Sequence, residues 1–215
     1  MILNILLNIE RNPIDFFDFY IFLFVAIILI IVKLNSPGYL KKSLTQFNYS
    51  KQGKAENFQE LIGFSINSIL LNISYTLLIS LGFYNQVVSE KGFSSFIPIF
   101  LLVLGFYLIQ ICNYFVFEKM TETQAIKTSF LRYRLFHNEL ISIILFPVLL
   151  IINYSKFELD WLFIVMLLIF QVVNMSRTTT YLTRYVTTFH IILYLCTSEI
   201  VLLLFLIKYI LKINS

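Results

Sequence analysis

The segment FHIILYLCTSEIVLLLFLIK, residues 189–208, is apolar enough to cross a bilayer yet carries His190, Cys196 and Glu199. From its start near Thr187, Glu199 stands about 18 Å along a helix, far from either membrane surface. A charge at that depth costs several kcal/mol, so the carboxylate must be protonated or face protein or water. At 100° per residue Glu199 shares a face with Thr188, Ile192, Leu195 and Cys196. His190 falls on the opposite side near Tyr194 and Thr197, so acid and imidazole form no relay along one face. Two readings stand: a protonated acid that holds helices in register, or a carboxylate that binds a proton or cation.

Other polar residues raise the same choice. Ser65, Ser68, Asn72 and Thr76 recur as one stripe on a second apolar segment, with Asn67 and Ser74 off it. Such a stripe either packs through side-chain hydrogen bonds or lines a hydrated path. Packing is the simpler use, with Gln110, Asn113, Gln171 and Asn174 as candidate partners. The stretch RYRLFHNEL places Arg132, Arg134, His137 and Glu139 at a membrane edge. A solvated or headgroup-contacting rim accounts for it, because Arg at helix ends reaches phosphates; an anionic lipid or an acidic partner loop is the functional alternative. Asp15 and Asp18 fit the first turn of a helix, where the dipole favours anions.

The chain has no Gly-rich phosphate loop, HExxH, GxSxG or CxxC, and no catalytic residue, cofactor site or metal site is assigned. The two cysteines, Cys112 and Cys196, sit in apolar segments, where a thiol is usually a packing group. An intramembrane active site built from dispersed residues, with Glu199 or His190 as acid or base, is the least supported class.

These residues need elements to position them. The chain is 59% hydrophobic and only 13% charged, too apolar for a soluble domain of 215 residues to cover. The expected architecture is all-α: one polytopic transmembrane bundle of about six spans, near 14–34, 61–83, 95–117, 138–154, 159–175 and 187–208. Asn12 and Pro13 form a helix start, and Ser36, Pro37 and Gly38 a stop. Short amphipathic helices are expected at the interface, one over residues 1–10 and one in YLKKSLTQF, where Leu40, Leu44 and Phe47 share a face. The N-terminus lacks the features of a cleaved signal peptide.

Loops one, three and five hold most of the Lys and Arg, among them Lys41, Lys42, Lys51, Lys54, Lys119 and Lys127. The positive-inside rule makes those loops cytoplasmic and leaves both termini outside. With a net charge of +4 spread along membrane edges, nucleic acid is not an expected partner. The lipid bilayer is, together with a membrane-protein partner or a second copy of the chain.

The closing segment FHIILYLCTSEI, with Phe189, His190, Leu193, Tyr194, Leu195, Cys196 and Glu199, resembles the ending of a family of inner-membrane proteins from the Bacteroidota, domain-of-unknown-function family 4271. Its closing helix typically reads LYLC, small residues, then Glu-Ile. The Lys-rich loop after the first span and the run from Arg132 to Pro147 are similar to the family's layout too. Where members continue with Pro or a small polar step, this chain has Val201 and an unbroken Leu run. The resemblance implies a multi-span membrane protein and no activity for any residue. The expected role is a non-catalytic assembly or scaffolding component of the cell envelope; the alternative is a small transporter or channel subunit using Glu199.

Overall fold

The computed structural model describes residues 16–40, 65–87, 92–121, 129–154, 160–183, 188–196 and 208. Those residues form helices α1 (Phe16–Asn35), α2 (Ile66–Val87), α3 (Phe93–Thr121), α4 (Ser129–Tyr154), α5 (Asp160–Leu182) and α6 (Thr188–Leu195). The all-α expectation holds.

Among the described residues four helices are long and apolar enough to cross a membrane: Phe16–Asn35, Ile66–Gln86, Phe93–Asn113 and Leu135–Tyr154. The expectation of about six is not supported, for a different reason in each remaining segment. In α5 the apolar part runs only from Leu162 to Ser176. At 1.5 Å per residue that is about 22 Å, short of a core about 30 Å thick. The sixth expected span, 187–208, lies mostly outside the described residues. So do the N-terminal segment 1–10 and all of YLKKSLTQF beyond Tyr39 and Leu40.

Helix α2 is the centre of the bundle and packs most extensively on α4, then α3, then α1. Its apolar residues Leu71, Leu78, Leu81 and Tyr84 are fully buried. Lipid offers no water for the hydroxyls between them, so each turns back onto its own helix. Ser74 donates to Leu70 O at 3.1 Å, Thr76 to Asn72 O at 3.0 Å and Ser80 to Thr76 O at 2.7 Å. At Gly82 the missing Cβ lets the Phe163 ring of α5 press directly onto the α2 backbone. Small residues at helix contacts do this in membranes, where packing rather than water expulsion holds helices together.

Helices α1 and α4 run antiparallel. Asp18, near the start of α1, accepts a hydrogen bond from Asn153 Nδ2, near the end of α4, at 3.3 Å. Tyr39, just past the end of α1, meets Glu139 in the first half of α4. Asp18 is therefore buried against a neighbouring helix and not simply an acid solvated at the interface. Beside it Phe17, Phe96 and Tyr84 interlock edge to face, with ring centroids 5.2 to 5.6 Å apart, a favoured aromatic geometry. The outward side of α1, including Phe19, Leu23, Phe24, Ile27 and Ile30, stays exposed, as a lipid-facing surface requires.

Candidate functional site: a buried carboxylate at the helix junction

Among the described residues, Glu139 joins Asp18 as an acid buried inside an apolar span, and it is the one fully sealed. It stands one turn beyond Leu135, the first residue of the fourth apolar span, about 6 Å into it. Its side chain is 0% exposed. Both carboxylate oxygens are met: Tyr39 Oη donates to Oε2 at 2.8 Å, and Ser68 Oγ donates to Oε1. A carboxylate is acceptor-only when ionised, so two hydroxyl donors suit it. The three residues come from just past α1, the first turns of α2 and the first half of α4, so one side chain ties the chain leaving α1 to two helices. Asn67 Nδ2 donates to Ser36 Oγ at 3.1 Å beside it and fastens the same stretch to α2.

Tyr39 lies outside the spans. Burial, followed by the charge of Glu139 and the hydrogen bond to it, pushes its phenol well above the ordinary range, against a smaller opposing effect from a Ser65 hydrogen bond. The phenol is a neutral donor throughout the physiological range.

From Ser68 the polar contacts continue deeper into the bundle. Asn72 Nδ2 donates to Ser68 O at 2.9 Å and to Leu135 O at 3.4 Å, so one amide bridges α2 to α4. Tyr107 Oη of α3 donates to Asn72 Oδ1 at 3.0 Å. The α2 stripe is thus a packing seam, but its hydrogen-bond partners here are Glu139, Leu135 and Tyr107. Of the residues expected to supply them, Gln110 and Asn174 are buried on α3 and α5, and Asn113 and Gln171 are partly buried. Where α2 faces α3 the seam opens into a cavity of about 310 Å³, lined among others by Ser68, Asn72, Thr76, Phe100, Leu104 and Tyr107.

The stretch RYRLFHNEL is corrected accordingly. It belongs to α4, and His137, Asn138 and Glu139 are buried rather than forming a solvated rim. Arg132 and Arg134 stand on the same helix, before the apolar span begins. Glu139 was hidden in the sequence by its charged neighbours. The signal that points to it is the stripe at Ser65, Ser68 and Asn72, which demands a polar partner on another helix.

Of the closing segment only residues up to 196 and Lys208 are described. Glu199 lies outside the described residues. His190 is within α6, whose inward residues are Ile191 and Tyr194. Of the described positions sharing a helical face with Glu199, Thr188, Ile192 and Cys196 are exposed and Leu195 is half-buried. Helix α6 packs on α5.

No curated protein and no solved structure matches the chain. A family model does, over residues 19–210, which takes in every helix of the junction and the LYLC segment. The chain belongs to the family described as a domain of unknown function, DUF4271.

Proposed function

We propose that the chain is a non-catalytic assembly or scaffolding component of the cell envelope. In this reading it is held in a bacterial inner membrane by six spans with both termini outside the cytoplasm. The Lys and Arg distribution supports the orientation: Tyr39, Ser68 and Glu139 lie at the end of the bundle where Lys119 stands in the last turn of α3 and where the sequence between α1 and α2 and between α3 and α4 carries Lys41, Lys42 and Lys127. Six spans would add the expected fifth and sixth, 159–175 and 187–208, to the four helices long and apolar enough to cross.

The observation that carries the scaffolding role is the sealing of Glu139. A fully buried acid with a hydroxyl on each oxygen is arranged to fix helices, since a solute or proton path would need water at that carboxylate. Buried polar groups of this kind can set helix register at some cost in stability. The partner is a membrane protein or a second copy of the chain, with lipid around both.

A second reading, a small transporter or channel subunit that loads a proton or cation on an intramembrane carboxylate, is favoured by one detail. Ser68, which holds Glu139, also lines the cavity between α2 and α3. Glu139 then takes the part first given to Glu199, or shares it.

Glu139→Gln separates the two. Gln keeps a hydrogen-bonding side chain of the same shape but cannot ionise. Scaffolding predicts that a Glu139→Gln strain keeps normal protein abundance and the same cross-linked complexes in native membranes as wild type. Loss of cellular function with abundance and complexes unchanged would overturn scaffolding in favour of proton or cation loading.

A further inference from the structure

The cavity between α2 and α3 has a shape and a position that the scaffolding role does not use. It runs beside α2 from Ser68 to Thr76, about 12 Å, and beside α3 from Phe100 to Ile111, about 16 Å. Both lengths match one leaflet of a hydrocarbon core about 30 Å thick. One end reaches Ser68, Ile111 and Leu135, at the membrane edge where α2 and the apolar span of α4 begin. On its rim Ile69 and Ile73 are 53% and 43% exposed, so it opens sideways toward lipid.

Its size selects the occupant. At about 30 Å³ per water-sized group, 310 Å³ holds about ten such groups, the bulk of a stretch of acyl chain. Its polar floor is already paired, Tyr107 to Asn72 and Asn72 to Ser68 and Leu135, so an apolar chain meets no unsatisfied donor there. Hydrocarbon gains little by leaving other hydrocarbon, so preference among lipids rests on the headgroup. Arg132 and Arg134 stand three and one residues before Leu135 on α4, at the level where a lipid phosphate would lie.

We propose that the α2–α3 groove is a binding site for one acyl chain of an anionic phospholipid from the leaflet at the Glu139 end, with Arg132 and Arg134 selecting the headgroup. The site does not depend on the scaffolding role, whereas an acyl chain here would take the space that the transport reading gives to a hydrated path.

The test uses the full chain in phosphatidylcholine nanodiscs doped with phosphatidylglycerol, or phosphatidylcholine, that carries a photoreactive acyl chain; labelled peptides are located by mass spectrometry. The glycerol lipid should label α2 and α3 around Ile73 and Leu104 more strongly than the choline lipid. Arg132→Gln with Arg134→Gln should erase that preference, and Ile73→Trp, which fills the groove, should remove labelling there by both lipids. Leu108→Trp, on an exposed part of α3 that does not line the groove, should leave labelling unchanged. Equal labelling by the two lipids in the wild type would overturn the headgroup selection. Labelling that survives Ile73→Trp, or falls equally with Leu108→Trp, would overturn the groove as the site.

Discussion

Tyr39 and Glu139 are one hundred residues apart in sequence and 2.8 Å apart in the fold, phenol hydroxyl to carboxylate oxygen. That hydrogen bond joins the chain just past the first apolar helix to the fourth. With Ser68 on the second carboxylate oxygen, it makes Glu139 the point at which the chain leaving α1 is fixed to α2 and α4.

Removing the carboxylate should therefore cost more than neutralising it. Glu139→Ala strands two buried hydroxyls, each worth about 1 to 3 kcal/mol when unsatisfied, and opens a cavity besides. Glu139→Gln retains an acceptor for one hydroxyl and should cost about 1 kcal/mol. Thermal unfolding in nanodiscs should rank wild type, Gln and Ala in that order.

At the end of the bundle away from Glu139, Gly82→Ala sets helix propensity against packing. Alanine favours the helix by up to about 1 kcal/mol, but its methyl would collide with the ring of Phe163, which is itself 1% exposed. Overpacking of this kind costs about 1 to 3 kcal/mol, so the variant should be destabilised. Phe163→Leu, destabilising alone, should recover part of the loss when combined with Gly82→Ala.

Alkaline pH should act through Tyr39. Its phenol is held above the ordinary range in the fold, so near pH 10 the unfolded chain releases this proton while the folded chain keeps it. The stability it contributes is complete below the unfolded pKa and is lost as pH rises from there toward the folded value. Tyr39→Phe should therefore lose stability less steeply with pH above about 10 than wild type. Parallel slopes in the two proteins would show that this phenol is not perturbed.

Asn72 should matter to helix packing rather than to the surface. It receives Tyr107 from α3 and donates to the Leu135 carbonyl of α4. Asn72→Leu fills similar space but leaves the Tyr107 hydroxyl and that carbonyl without this partner, for a loss of about 1 to 3 kcal/mol. Tyr107→Phe in the same background should restore part of it, read by the same unfolding assay.

The spans were legible where apolar length alone defines them. The helices Phe16–Asn35 and Phe93–Thr121 contain or nearly coincide with the expected 14–34 and 95–117. Hydropathy said less about α4, which begins at Ser129, because a helix projecting beyond the membrane looks like a polar loop in sequence. It also overstated α5, whose apolar stretch is one or two turns too short. At the site, periodicity identified the stripe of Ser65, Ser68, Asn72 and Thr76 as an interface. Its acid was missed because depth along a single helix favours Glu199, deep in an apolar run, over Glu139, flanked by His137, Asn138 and two arginines. What buries Glu139 is contact with Tyr39 and Ser68, long-range in sequence, and no single helix contains that information.

The most direct test of the junction is a double-mutant cycle on Tyr39→Phe and Glu139→Ala, measured by reversible unfolding of the full chain in lipid nanodiscs. If the phenol and carboxylate bond as the fold places them, the two losses overlap and the coupling energy falls at about 0.5 to 3 kcal/mol. Strict additivity, with each substitution costing the same whether or not the other is present, would contradict Glu139 as the tie between α4 and the chain leaving α1.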